Sequence, residues 1–404
     1  MSRLPLDGIR ITDFTWAWAG PYATLLLAFM GAEVIKIETN KRPDHARLRA
    51  LATGPGAKDP DLSPIFNDLN LNKMAITLDL TQPKAVALAK RLVSISDVVA
   101  ENFRPRVMDR LGLGYDALQE VKPDIVMLSS SSVGAVGPES KYAGYAPIFA
   151  AHGGLAHLTG YPETRPVPLM GSSDLRSAAT TAFAILIALY HRARTGEGQR
   201  IDLSSVETIS VLIGDALLDY IMNGRVPIRK GNRDEIMAPH NCYPCQGENK
   251  WVSIAIATEE EWQSFCDVMG NPPWIRDEKF SDAYRRWQNQ EELDRLIGDW
   301  TINYTHHEVT ERLQQAGVAA IPSFDGTELF QDPHLKARGF ATEVTHPKIG
   351  KRIVLAPPWK FSDTPAQISR RGPLLGEHNE YVFGDLLGIP KAEIAQMKEE
   401  GVFY

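Results

Sequence analysis

Apolar and polar positions come in blocks, and the period of each block predicts an element. Ile9-Arg-Ile-Thr-Asp-Phe14 reads as a first strand. Gly20-Pro21 opens a helix, with Pro where its missing N–H does no harm, and the helix runs through Tyr22–Met30 to Gly31. Glu33–Glu38 is a second strand. A β-α-β unit of this kind predicts a parallel sheet. Residues 40–70 read as polar loop, followed by a strand Ala75–Leu80 and a helix capped by Thr81 with Pro83 in its first turn. Strands are predicted again at Val98–Phe103, Asp124–Ser129 and Gln199–Leu203. Ala178–Tyr190 holds very few polar residues, which predicts a helix buried on most sides. Arg192 and Arg194 suit its last turn and Gly196 its stop. A helix Ser205–Asn223 and a basic linker Gly224–Asn232 follow.

The pattern then changes. Trp251–Ala257 alternates as a strand, and amphipathic helices are predicted at Glu259–Met269, Glu291–Asn303 and Glu308–Gln315. Gly317–Ser323 reads as an extended return segment. A short helix Asp332–Arg338, a hairpin of Phe340–Val344 with Arg352–Leu355, and helices near Asn379–Leu387 and Pro390–Glu399 close the chain. The expected fold is α/β, with a large domain built from both chain ends and a smaller α+β domain between them.

In open α/β sheets ligands bind outside the carboxyl ends of the strands. The Thr15–Gly20 turn, Asn102, Phe103 and Ser129–Ser132 all fall at that edge. The fingerprint GxGxxG is missing from the first turn, and Gly112-Leu-Gly114 lacks a third glycine, so classical dinucleotide binding is disfavoured. Asp174 stands at the entrance to the apolar helix, after three small residues. A carboxylate there accepts hydrogen bonds from unpaired backbone N–H groups, which favours its ionised form. Two readings fit that position: a helix cap, and a carboxylate nucleophile at the mouth of a rigid helix.

Composition narrows the classes. A chain of 404 residues has room for two domains, and a net charge of -7 argues against nucleic acid as the main partner. Three cysteines are too few for a disulfide framework, and Cys242-Tyr-Pro-Cys245 has no second pair to complete a zinc site. The opening residues show no signal-peptide pattern, and Ala178–Tyr190 is too short to cross a bilayer. The expectation is a soluble, cytoplasmic protein with no membrane partner.

Several blocks, in order, resemble one family. They are Leu6-Asp-Gly-Ile-Arg10, Ala19-Gly-Pro21, Gly31–Glu38, Leu71-Asn-Lys73, Glu101-Asn-Phe-Arg-Pro105, Arg110-Leu-Gly-Leu-Gly-Tyr115 and Asp174. They continue with Arg194-Thr-Gly-Glu-Gly-Gln199, Ala316-Gly-Val318 and Leu375-Gly-Glu-His378. Across nearly the whole chain they resemble the class III CoA-transferase family, also called the CaiB/BaiF type. The resemblance implies a Rossmann-like large domain and two ring-shaped chains that interlock, as a homodimer or as a heterodimer with a related subunit. The boundaries expected are 1–205 for the first part of the large domain, 206–232 for a linker helix, 233–317 for the small α+β domain, 318–330 for a return linker and 331–404 for the rest of the large domain.

The chemistry implied by the resemblance centres on Asp174. Its carboxylate attacks an acyl-CoA thioester to give a mixed anhydride, CoA returns to the aspartyl carbonyl, and an acceptor acid then takes the CoA. No metal and no permanently bound cofactor is implied; CoA thioesters and carboxylic acids enter as substrates. Ala17, Lys73, Asn102, Phe103, Arg110 and Lys141 match positions that contact CoA in the family. Trp18 stands where members often carry glutamine or another polar residue. With Trp16 it points toward members acting on bulky dicarboxylates such as benzylsuccinate, with succinyl-CoA as donor, in aromatic degradation. Arg47 and Arg176 are the cations expected near the substrate carboxylate. An α-methylacyl-CoA racemase shares the fold, but where that branch carries a His-Asp pair this chain has Gly144-Tyr145. A non-catalytic CoA-binding partner subunit is the third reading, and the presence of Asp174 counts against it.

Overall fold

The strand–helix–strand start of the chain forms as the periodicity predicts, with β1 (Arg10–Asp13), α1 (Ala19–Phe29) and β2 (Glu33–Glu38). These coordinates are a computed structural model that describes residues 3–48, 59–167, 169 and 171–404. Four more strands, β3 (Met74–Thr77), β4 (Val98–Glu101), β5 (Val126–Ser131) and β6 (Arg200–Ser204), join the first two. All pairings are parallel, and the order is β3-β2-β1-β4-β5-β6. This is the doubly wound order, and its direction reverses between β1 and β4.

Both faces of the sheet are covered, which is why most of its strands are near-continuous apolar runs. On one face Ile11, Val34, Val98 and Leu128 pack against Leu27 and Ala28 of α1 and against Ile185, Ala188 and Leu189 of a long helix. On the other, Ile35, Ile76, Val99 and Met127 meet Leu88 and Leu92 of α2 (Pro83–Ser94) and the C-terminal Val382, Phe383 and Phe403. Each such side chain contributes roughly 1.5–3 kcal/mol on burial. The large unit comprises Met1–Ala156, Pro168–Arg225 and Ala337–Tyr404, so the two chain ends share one core. The predicted hairpin forms as Ala341–His346 with Gly350–Leu355.

Three local expectations fail for identifiable reasons. Thr81 does not cap α2: its hydroxyl donates to Asp79 Oδ1 at 2.6 Å, and Gln82 occupies the cap position. The predicted helix Ser205–Asn223 breaks at a tight turn over Val211–Ile213 and resumes at Gly214. The long helix α3 (Ser172–Thr195) is buried on one face only. Phe183, Ile187 and Tyr190 are 63%, 51% and 64% exposed and recur at helical spacing. Beyond it, α4 (Gly214–Asn223) buries no side chain at all, although Ile221 and Met222 are 74% and 76% exposed.

The second unit, His157–Val167 with Val226–Lys336, is built on an antiparallel sheet of β7 (His240–Pro244), β8 (Trp251–Ala255) and β9 (Ala319–Pro322). The segment expected as a return linker therefore supplies a strand of this sheet. Val252, Ile254, Trp262, Phe265, Leu293 and Leu313 form the core with α5 (Glu259–Val268), α6 (Gln290–Thr301) and α7 (His306–Gln315). Capping boxes start α5 and α7, from Thr258 to Glu261 and from Thr305 to Glu308. The Cys242 and Cys245 thiols are unlinked, and burial pushes Cys245 up to about 11, so it stays protonated at neutral pH. No helix among the described residues is long and apolar enough to cross a membrane.

Candidate active site

β1 ends at Asp13, and the chain turns through Thr15, Trp16, Ala17 and Trp18 into α1 at the reversal point of the sheet. Ala17 lies at φ +68°, in the left-handed region. For a residue with a Cβ this costs roughly 1–2 kcal/mol. The turn is held from both flanks. Asn102, just past β4, accepts the Trp16 N–H at 2.8 Å and returns a bond from Nδ2 to the Trp16 carbonyl at 2.9 Å. Ala17 N–H donates to Asp44 Oδ1 at 2.8 Å, and Thr15 N–H to Asp13 Oδ1 at 2.8 Å.

Beneath the turn two buried ion pairs alternate. Lys36 pairs with Asp44 at 3.0 Å and also donates to the Thr15 carbonyl. Lys73 pairs with Asp13 at 3.1 Å and donates to Thr24 Oγ1 at 2.7 Å and the Pro21 carbonyl at 2.8 Å. No side chain of the four exceeds 1% exposure. Burial works against the Asp13 carboxylate, but Lys73, Lys36 and the hydroxyls of Thr15 and Thr24 hold it below its ordinary range. Burial pulls the Lys73 ammonium down to about 8, only partly opposed by Asp13.

Two residues expected at the ligand are thereby occupied elsewhere. Lys73 has no exposed surface, and each of its three protons has a protein acceptor. Arg47, expected as a substrate cation, is also fully buried. Its guanidinium bonds Glu38 at 2.9 and 2.8 Å, Asp61 at 2.9 Å and the Pro373 carbonyl at 3.2 Å, and stacks 3.4 Å from the Phe66 ring centre. It binds the segments around Asp61 and Pro373 to the end of β2.

An aromatic group stands beside the turn. The Trp16 ring is 4.6 Å from His45 and meets Phe103 edge-on at 5.7 Å, with the Arg42 guanidinium 4.9 Å from its centre. Tyr145 is 6.4 Å from His45. The Phe103 N–H donates to the Glu101 carboxylate at 2.8 Å. Burial pushes Glu101 up to about 7, against bonds from Ser129 and Phe103. The Trp18 indole N–H is buried without an acceptor. Arg42, Asp44, His45 and Tyr145 carry no functional signal in the sequence, and Glu101 enters it only as the first residue of the block Glu101-Asn-Phe-Arg-Pro105. Arg42, Asp44 and His45 lie in a stretch whose polarity reads only as loop, and partnership with Trp16 is set by tertiary placement.

α3 brings in Asp174. Gly171, at φ +85°, is the cap residue, so Asp174 lies inside the first turn rather than at the cap, and it is half-buried. At the far end of α3, Arg192 donates to Asp97 Oδ1 at 2.6 Å, immediately before β4 begins. The helix therefore runs antiparallel to the strands. Its 24 residues span about 36 Å, against about 20 Å for the longest strands. Asp174 is thus at the carboxyl edge, the same edge as Ala17, Asn102 and Phe103. Ser177, buried, bonds Thr208 at 3.1 Å and fixes this end of the helix. The dipole at a helix N-terminus favours a negative charge there. Arg110, Lys141 and Arg176 are exposed and make no ion pair among the described residues.

One group of metal-ligating side chains occurs among the described residues: His306, His307 and Glu328, within 4.8 Å of one another in the second unit. Glu328 already accepts from Lys250 and from the Asp325 amide, and it opens helix α8 (Gly326–Gln331), while both histidines open α7. Two helix N-termini and an ammonium group disfavour a cation at that point. The cluster reads as a capping network.

A family model described as CoA-transferase family III matches residues 6–379. The succinyl-CoA–D-citramalate CoA-transferase of Chloroflexus aurantiacus is 34% identical over 98% of this chain and 98% of its own. The β subunit of the succinyl-CoA–L-malate CoA-transferase from the same organism is 32% identical over 99% of this chain and 98% of its own. A crystal structure of a CaiB/BaiF family protein from Brucella suis superposes with a TM-score of 0.86 at 29% identity, covering 95% of this chain and 100% of that one.

Proposed function

The chain belongs to CoA-transferase family III, and on that premise we propose that it moves CoA from succinyl-CoA to a second dicarboxylic acid through Asp174. What supports this reading is the placement of Asp174, half-buried in the first turn of α3, toward the carboxyl edge of the sheet, where the Ala17 turn, Asn102 and Phe103 also stand. A carboxylate Oδ attacks the thioester carbonyl, the C–S bond breaks, and CoA leaves as the thiolate. The thiolate then attacks the aspartyl carbonyl of the mixed anhydride, and succinate leaves as its C–O bond breaks. The acceptor carboxylate attacks the aspartyl-CoA thioester, and the same two steps in reverse order return Asp174 and release the new thioester. Dividing one exchange between carboxylates into these steps lowers each barrier.

Arg110 and Lys141, exposed and without ion-pair partners among the described residues, suit the phosphates of CoA. Phe103, beside Trp16, suits the adenine or pantetheine. Arg176, two residues past Asp174, takes the place of Arg47 as the cation for the far carboxylate of the substrate. Both relatives named above are named for succinyl-CoA and a dicarboxylic acid. The aromatic group of Trp16, His45 and Phe103 favours a bulky acceptor of the benzylsuccinate kind. The exposed apolar stripe of α3 and the exposed Ile221 and Met222 of α4, a helix with no buried residue, support assembly into the interlocked dimer, whether with a second copy or with a related subunit. The test is exchange of succinyl-CoA against a panel of aliphatic and aryl-substituted dicarboxylic acids. Turnover with one of them, abolished in Asp174→Asn, is expected. Turnover that survives in Asp174→Asn, or deuterium entering the α-carbon of a branched acyl-CoA without exchange, would overturn the reading.

A further inference from the structure

We propose that Asp44 is a positioning residue for the transfer: it holds Ala17 in the left-handed conformation and so sets the turn against which the acyl-CoA thioester lies. This rests on the reading given under Proposed function. Three observations carry it. Ala17 is one of few residues other than glycine at positive φ among those described, and it sits at the carboxyl edge where β1 meets α1. Its N–H is taken by Asp44 Oδ1, which also accepts from the Ala46 N–H at 2.8 Å, so the acceptor is itself fixed. The other oxygen of Asp44 is anchored by Lys36, and Lys36 in turn reaches the Thr15 carbonyl. Asp44 thus grips the turn at Ala17 directly and at Thr15 through Lys36, while Asn102 grips Trp16 between them.

Strain of this kind persists only where the surroundings over-determine it, and it concentrates at functional sites. The arrangement also decides which amides can face a ligand. Those of Trp16 and Ala17 are turned away into Asn102 and Asp44. The first amides of α1, Ala19 and Gly20, bond no carbonyl among the described residues, as expected of the first turn of a helix, and are donors at this edge. Without Asp44, Ala17 would relax toward negative φ. The start of α1 would then rotate relative to Asp174, with no ligand contact removed.

The prediction separates positioning from folding through a glycine. Glycine adopts φ +68° without a Cβ penalty. Asp44→Ala is expected to lower kcat about 100-fold while the KM for succinyl-CoA changes by about threefold or less. Adding Ala17→Gly to Asp44→Ala is expected to recover about tenfold of that loss, with no recovery of the melting temperature. Asp44→Asn keeps an oxygen for the Ala17 amide and is expected to fall about tenfold or less, which keeps the test open should Asp44→Ala fail to fold. Overturning results are a folded Asp44→Ala with kcat within about threefold of the wild type, loss in Asp44→Asn equal to that in Asp44→Ala, or a double variant that regains melting temperature and kcat together. Wild-type exchange and its loss in Asp174→Asn are measured in the same series. If those fail, the transferase reading has failed; if they hold and the glycine does not rescue, only the role of Asp44 falls.

Discussion

Replacing Lys73 with methionine removes one ammonium from a cluster sealed from solvent while keeping most of the side-chain volume. Asp13 would retain Lys36 and the Thr15 and Thr24 hydroxyls but lose its ion pair at 3.1 Å, and the Pro21 carbonyl would lose its donor. Breaking one side of a buried pair costs about 3–5 kcal/mol, because the remaining charge stays buried. Lys36 remains close enough to hold Asp13 down, so the lower end applies, about 3 kcal/mol. At about 2 °C per kcal/mol for a unit of this size, the melting temperature should fall by about 6 °C. Calorimetry or circular dichroism reads this directly. At a temperature where both proteins are folded, the KM for succinyl-CoA should stay within about threefold of the wild type, since no part of Lys73 is exposed. A melting temperature within about 1 °C of the wild type, combined with a tenfold rise in KM, would refute the reasoning and return Lys73 to the CoA site.

Glu101 supplies a pH signature. Its carboxyl titrates near 7 in the folded chain and at 4.5 when unfolded, so the folded form holds the extra proton between those values and stability falls as pH rises through that window. Above it the buried charge costs up to about 3 kcal/mol. Glu101→Gln keeps an acceptor for the Phe103 amide, so it should melt several degrees above the wild type at pH 8 and lose that advantage at pH 4.5; an equal offset at both pH values would contradict this. Ile221→Glu with Met222→Glu should convert a native dimer to monomers in light scattering after gel filtration, without lowering helicity; a wild-type chain that is monomeric, or a variant that stays dimeric, would refute a partner on α4.

The parts of the fold legible in the sequence are those where one period dominates. The run Glu33–Glu38 predicts β2 at its observed bounds, and the turn Pro347–Gly350 places the hairpin near the C-terminus. The failures have physical causes. Thr81 reads as a cap, but Asp79 two residues earlier competes for its hydroxyl. α3 reads as buried because apolar content does not distinguish a core from an interface, and Phe183, Ile187 and Tyr190 lie on the open side. β7 is not legible in the pattern, because Pro239 and Pro244 interrupt the alternation that marks a strand. At the candidate site, strand and helix ends place Asn102, Phe103 and Asp174 at one edge of the sheet, while the roles proposed for them rest on the family resemblance. Lys73 and Arg47 could not be resolved, because a charged residue reads as exposed until its buried partner is known. Lys73 finds Asp13, and Arg47 finds Glu38 and Asp61. Asp44 carries no periodic or motif signal, and its role follows only from the amide it accepts.

The central claim is a covalent aspartyl intermediate on α3, and hydroxylamine trapping reads it most directly. Enzyme incubated with succinyl-CoA, treated with hydroxylamine, digested and analysed by mass spectrometry should carry a hydroxamate on Asp174, and Asp174→Asn should carry none. A wild-type enzyme that exchanges CoA while Asp174 stays unmodified, or a hydroxamate on any other carboxylate, would contradict the account.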